Sequence, residues 1–131
     1  MIKMAGHILF LLVLRKKINF MTINEKSYDK LMNIFDDYYK TGVMLTLFWP
    51  NGSILEGVSE VGSGETDSDI PEDSPEYPGY YSAFLDRVNT VHVDKRDLGD
   101  YNNRFHSIEI DMLNAPMIVE ANNEIVWEKE D

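Results

Sequence analysis

Cysteine is absent from all 131 residues, which removes disulfides, thiolate metal sites and cysteine nucleophiles together. Positive charge is scarce. Twelve Lys and Arg stand against 23 Asp and Glu, for a formal net charge of −11. Nucleic acid and anionic lipid repel such a surface, so neither direct nucleic-acid binding nor membrane association is expected, and the natural complement is a basic protein partner. Missing too are a P-loop, a dinucleotide-binding fingerprint, a nucleophile elbow and a zinc-peptidase motif. The paired glycines of GSGETDS at residues 62–68 sit among acids that would repel a phosphate. No cofactor and no catalytic residue are assigned. Long apolar runs are also lacking: the run at residues 8–14 falls far short of the roughly 20 residues that span a bilayer, and no small-residue cleavage site follows it. A cytoplasmic protein is the expectation.

What the chain does hold is apolar enough to fold. Hydrophobic residues make up 44%, with six Phe, seven Tyr and two Trp, and the length suits one domain with a single core. Charge is unevenly spread. Residues 1–20 contain Lys3, Arg15, Lys16 and Lys17 and no acid, so residues 21–131 carry 8 basic and 23 acidic groups, a net of −15. The first 20 residues read as an apolar and basic leader or as an extra strand, with the domain proper beginning at Met21. His7 lies inside that segment and is assigned no chemistry.

From Met21 the pattern is helix, then strands. Thr22 and Glu25 fit a capping box, and Tyr28, Leu31, Met32, Phe35, Tyr38 and Tyr39 recur at helical intervals over about 23–40, with Asp36 and Lys40 spaced to pair and Gly42 as the stop. Residues 43–49 and 54–61 read as a hairpin around Asn51-Gly52, with Gly57 at a bulge. Residues 80–93 read as one long strand or a short helix running into a strand, and 104–112 alternate, with Ile108, Ile110 and Met112 on one face and Ser107, Glu109 and Asp111 on the other. A second hairpin closes the chain around Asn122 and Asn123, with Ile125 and Trp127 facing inward. The expected fold class is α+β: one N-terminal amphipathic helix on a mostly antiparallel sheet of about six strands that curls toward a barrel.

The segment at 62–79 stands out. Glu65, Asp67, Asp69, Glu72, Asp73 and Glu76 crowd into it beside Pro71, Pro75 and Pro78, and residues 41–86 contain nine acids and no Lys or Arg. Its spacing lacks the sixth-position glycine and distal glutamate of an EF-hand, so no metal site is assigned. His92 and His106 are the best candidates for acid–base chemistry, but side-chain alternation sends them to opposite faces of paired strands. A long loop of this kind in a compact domain is either functional or unstructured. Unneutralised carboxylates steer a cationic surface toward them; Tyr77, Tyr80 and Tyr81, with Trp49, are of the type that anchors interfaces. The bland alternative is a solvated insertion whose tyrosines pack on the sheet.

In size and composition the chain is similar to small acidic inhibitors: toxin-immunity proteins that block a basic nuclease, and phage proteins that blunt restriction or CRISPR nucleases by placing carboxylates where DNA phosphates would lie. That similarity implies DNA mimicry by Glu65, Asp67, Asp69, Glu72, Asp73 and Glu76, with the three tyrosines as apolar anchors. Two other classes remain open. One is a ligand-binding or carboxylate-dependent enzyme domain, marked by a deep acidic pocket with a histidine. The other is a structural subunit that self-associates through an apolar patch at the first fourteen residues.

Overall fold

The computed structural model describes residues 23–66, 69–102 and 106–130. The leader at 1–20, Met21 as a start, and Asp67 lie outside the described residues. The elements run α1 (Glu25–Asp37), β1 (Leu45–Phe48), β2 (Ile54–Val58), β3 (Ser63–Glu65), β4 (Tyr81–His92), α2 (Lys95–Leu98), β5 (Ser107–Ile110), β6 (Ile118–Ala121) and β7 (Glu124–Glu128). The fold is α+β, a curled antiparallel sheet forming a half-barrel with a helix against it.

Twelve-residue β4 organises the sheet. Ala83 pairs with Ser63 of β3 and with Ile110 of β5, so those strands occupy opposite edges of β4. Asp86 pairs with Val58 of β2 and Ser107 of β5, which places β2 and β3 in tandem along one edge. From β2 the sheet continues through β1 and β6 to β7, leaving β3, β5 and β7 each paired on one side only among the described strands. Helix α1 bridges the curl, touching β3 and β4 on one limb and β7 on the other. Tyr28, Leu31, Met32 and Phe35 are buried there against Leu45, Leu47, Leu55, Leu85, Val119 and Trp127. Each such apolar side chain removed from water contributes about 1.5–3 kcal/mol.

Hydrogen bonds lock the helix to both limbs. On the β7 side, the Trp127 indole donates to the Ser27 carbonyl at 3.0 Å and the Glu130 amide donates to Ser27 Oγ at 3.0 Å. On the β4 side, the Tyr28 phenol donates to the Tyr81 carbonyl, and Ser59 Oγ, on the segment after β2, donates to the Phe35 carbonyl at 2.6 Å.

The helix ends differ from the sequence expectation. Asn24, in extended backbone, is the N-cap and accepts from the Ser27 amide at 2.8 Å. Glu25 is therefore the first helical residue and not the third, so it cannot complete a capping box with Thr22. The helix stops at Asp37 with Tyr38 as its C-cap, five residues before Gly42. Lys40 already takes a left-handed φ of +57°, and Gly42 at +76° shapes only the link into β1. With helical phase lost, Tyr39 is exposed. Asp36 turns to β3 instead of Lys40, accepting from the Ser63 amide at 2.7 Å and hydroxyl at 2.8 Å, while the Lys40 ammonium sits 5.1 Å from the Tyr39 ring centre.

Both expected hairpins are present. In the first, the Gly52 amide donates to the Trp49 carbonyl at 3.2 Å and the Trp49 amide to the Ser53 carbonyl at 2.9 Å; Gly52 has φ +99°, whereas Asn51 is not among the positive-φ residues. That is a three-residue loop with glycine at the left-handed position, not a two-residue Asn-Gly turn. Asn122 and Asn123 have φ +53° and +64°, the primed geometry whose twist suits a two-residue turn. In β7 a register shift opposite Val119/Glu120 lets Val126 pack on the core and leaves Ile125 half-buried, correcting the inward placement of Ile125.

Gly57 does mark a bulge, since the β2–β4 register shifts between Glu56 and Val58. A β-carbon there would lie 2.6 Å from the Asp86 carbonyl oxygen and from Leu85 Cγ, so the approach of the two strands requires glycine. The strand at 80–93 is one continuous β4. The polar link after it holds α2, capped by Asp94, whose Oδ1 accepts from the Arg96 amide at 2.9 Å. Among the described residues no helix is long and apolar enough to cross a membrane.

Candidate functional site

The acidic segment is built from a short strand and a closed loop. Asp36 fixes Ser63, β3 pairs with the start of β4 through Gly64↔Ser82 and Glu65↔Tyr81, and the Thr66 amide and hydroxyl donate to the Tyr80 and Gly79 carbonyls at 2.9 and 2.8 Å. The chain leaves the sheet at Thr66 and returns beside it at Gly79. Between, the Ser74 amide donates to the Pro71 carbonyl at 3.0 Å, the Tyr77 amide to the Ser74 carbonyl at 3.1 Å, and the Met112 amide to the Pro78 carbonyl at 2.9 Å. These turns leave the carboxylates pointing outward.

Asp69, Glu72, Asp73 and Glu76 are exposed. The ion pairs among the described residues join Lys30 to Glu130, Arg87 to Glu60, Lys95 to Asp100 and Arg96 to Asp94. None engages the loop. Glu65 is also exposed and accepts from the Tyr80 phenol at 3.2 Å; that hydrogen bond and the Glu65 charge push the phenol's pKa up. Tyr80 and Tyr81 meet edge to face at 4.8 Å and remain 57% and 42% exposed. Tyr77 is half-buried.

Trp49 does not join them. It is 3% exposed, and its indole donates to the Asn114 carbonyl at 2.6 Å, so it is a core residue and leaves the candidate surface. Nor are the two histidines brought together. His92 pairs with Ile54 on the β2 edge of β4, whereas the His106 carbonyl accepts from Val88 on the other edge, four residues and so about 13 Å along the strand.

Two grooves flank the segment. One, of about 460 Å³, is lined by Val61, Glu65, Ser82, Phe84, Glu109 and Asp111 among others. Ala83, Leu85, Ile108 and Ile110 face the core, so by alternation Ser82, Phe84 and Glu109 occupy the opposite face. Ser82 donates to Glu109 at 2.6 Å. Burial raises the pKa of the Asp111 carboxyl above the ordinary value, against the pull of the Leu113 and Asn114 amides that donate to it.

The second groove, about 650 Å³, lies between the start of α1 and the loop, with Glu25, Glu72 and Asp73 beside Tyr77, Met112 and Leu113. Both grooves are open and acidic, and no histidine is among the described residues of their walls. No three His, Asp or Glu side chains among the described residues converge as a metal centre requires.

The sequence reading missed Glu25 and Asp111 as parts of this surface, and Glu109 with them. The alternation at 107–112 already put Glu109 and Asp111 on one face, but nothing local said that this face adjoins β3. The chain matches no family model, no curated protein and no solved structure.

Proposed function

We propose that the protein is a binding inhibitor that occludes a basic partner, such as a nuclease, with its acidic face. Asp69, Glu72, Asp73 and Glu76, joined by Glu65, stand where the phosphates of a nucleic acid would lie, and Tyr80 and Tyr81 provide apolar anchorage. The observation that carries this is the exposure of four loop carboxylates that no described cation engages. Unpaired charge raises the encounter rate with a cationic surface and loses its effect as salt screens it. Inhibition is then steric and electrostatic, and needs no cofactor.

The reading is tested by capturing the partner from the native host at low and moderate salt, identifying it, and timing its association with the chain carrying Asp69→Asn, Glu72→Gln, Asp73→Asn and Glu76→Gln. The expected result is association slowed about tenfold at low salt, with a flatter salt dependence. A basic partner that binds both forms at one rate removes the loop from the account, and a captured small metabolite overturns the inhibitor reading.

A further inference from the structure

We propose that the chain's own basic N-terminal segment docks in the groove between the start of α1 and the acidic loop, through Arg15, Lys16 and Lys17. The groove holds about 650 Å³; its floor includes Ile23, Tyr77, Met112 and Leu113, and its rim Glu25, Glu72 and Asp73. Leu113 is 55% exposed, and no ion pair among the described residues engages the three rim carboxylates. Such a cleft suits an occupant that is cationic and apolar together.

Residues 1–20 have that chemistry, with four cations, no acid, and Ile18 and Phe20 following the basic cluster. The described chain begins at Ile23, itself in the groove wall. Lys17 is six residues from it and Arg15 eight, so an extended chain reaches roughly 20 to 28 Å, enough to bring the cluster across to Glu72 and Asp73. A tether this short holds the cluster at an effective concentration on the order of millimolar, and the net charges of the two parts attract. A second copy or a foreign basic peptide has the same charge but lacks the tether.

The docking does not depend on the inhibitor reading. Its consequence does: a basic partner then has to displace the segment from Glu72 and Asp73, which slows association and makes it depend on residues 15–17.

Carbodiimide coupling of the full chain at low ionic strength, followed by peptide mapping of the monomer fraction, reads the contact directly. Lys16 or Lys17 should join Glu72 or Asp73 within one molecule, and the yield should fall several-fold at high salt. In the full chain carrying Arg15→Glu, Lys16→Glu and Lys17→Glu, the amide resonances of Asp73, Ser74, Tyr77 and Leu113 should move. Resonances of those four that stay in place overturn the docking, as do couplings that form only between two copies or that run to Glu124 and Glu128. Docking that is seen while a basic partner binds indifferently to the loop variants leaves this inference standing and removes the inhibitor reading.

Discussion

Asp97 and Asp73 are both aspartates on connecting segments, and the fold uses them in opposite ways. Asp97, in α2, accepts from the Asn51 amide at 3.0 Å, the Asn51 side chain at 3.1 Å and the Ser53 amide at 3.1 Å, tying the first hairpin to the link after β4. Asp36 does the same for β3, and Asp111 for the turn at Leu113 and Asn114. Asp73 and its neighbours Asp69, Glu72 and Glu76 are exposed and take no such role. A net charge of −11 therefore conceals two populations. One is consumed by backbone donors of the fold, and the other faces outward, open to cations from the chain's own basic segment or from another molecule.

The contrast breaks most sharply at Asp97. Asp97→Ala leaves the amide of fully buried Ser53 without its acceptor and should cost about 1.5–3 kcal/mol in urea denaturation, the range for hydrogen bonds to a charged group. A loss no larger than that of a surface acid would put Asp97 in the second population.

Tyr28→Phe comes next, at about 1–2 kcal/mol, because the Tyr81 carbonyl loses its donor. Burial, with Asp111 and Glu109 nearby, raises the Tyr28 pKa above its ordinary value of 10.0. The folded phenol thus keeps its proton where the unfolded one releases it, so this part of the stability is complete below pH 10 and is lost as pH rises further. The variant should show a shallower alkaline limb.

Asp111→Asn should act in the opposite direction, by less than about 1 kcal/mol. Burial raises its carboxyl pKa, so folding favours the protonated form and the ionised group opposes the fold at neutral pH. An asparagine keeps an acceptor for Leu113 and Asn114 without that penalty. A rise in the denaturation midpoint that vanishes in acid confirms the sign.

Smallest of all should be the stability change in the chain carrying Asp69→Asn, Glu72→Gln, Asp73→Asn and Glu76→Gln, within about 0.5 kcal/mol of the parent. A larger loss would mean that the loop carboxylates hold the fold together after all.

Local pattern explains which parts of this were legible. The spacing of Tyr28, Leu31, Met32 and Phe35 reports a buried face wherever the partner lies, and the two hairpins announce themselves through Gly52 and the Asn pair. The bulge at Gly57 was readable for the same reason. What sequence could not show depended on contacts across the chain. β3 is a strand only because Asp36 and β4 supply its partners; its residues Ser63, Gly64 and Glu65 carry no strand preference of their own.

Trp49 looked like an interface anchor because it is of the aromatic type that anchors interfaces, but the Asn114 carbonyl, 65 residues away, receives its indole N–H and draws it inward. The short α2 was hidden in a polar link, and the grooves exist only once β5 and the start of α1 are brought beside the loop.

Anisotropy of a labelled nine-arginine peptide, titrated with the full chain and with the four-site loop variant across a salt series, tests the division of the carboxylates most directly. The account predicts that the parent binds at low salt and releases the peptide as salt rises, while the variant binds about tenfold more weakly and with a flatter salt slope. Equal affinity and equal slope for the two proteins would contradict it.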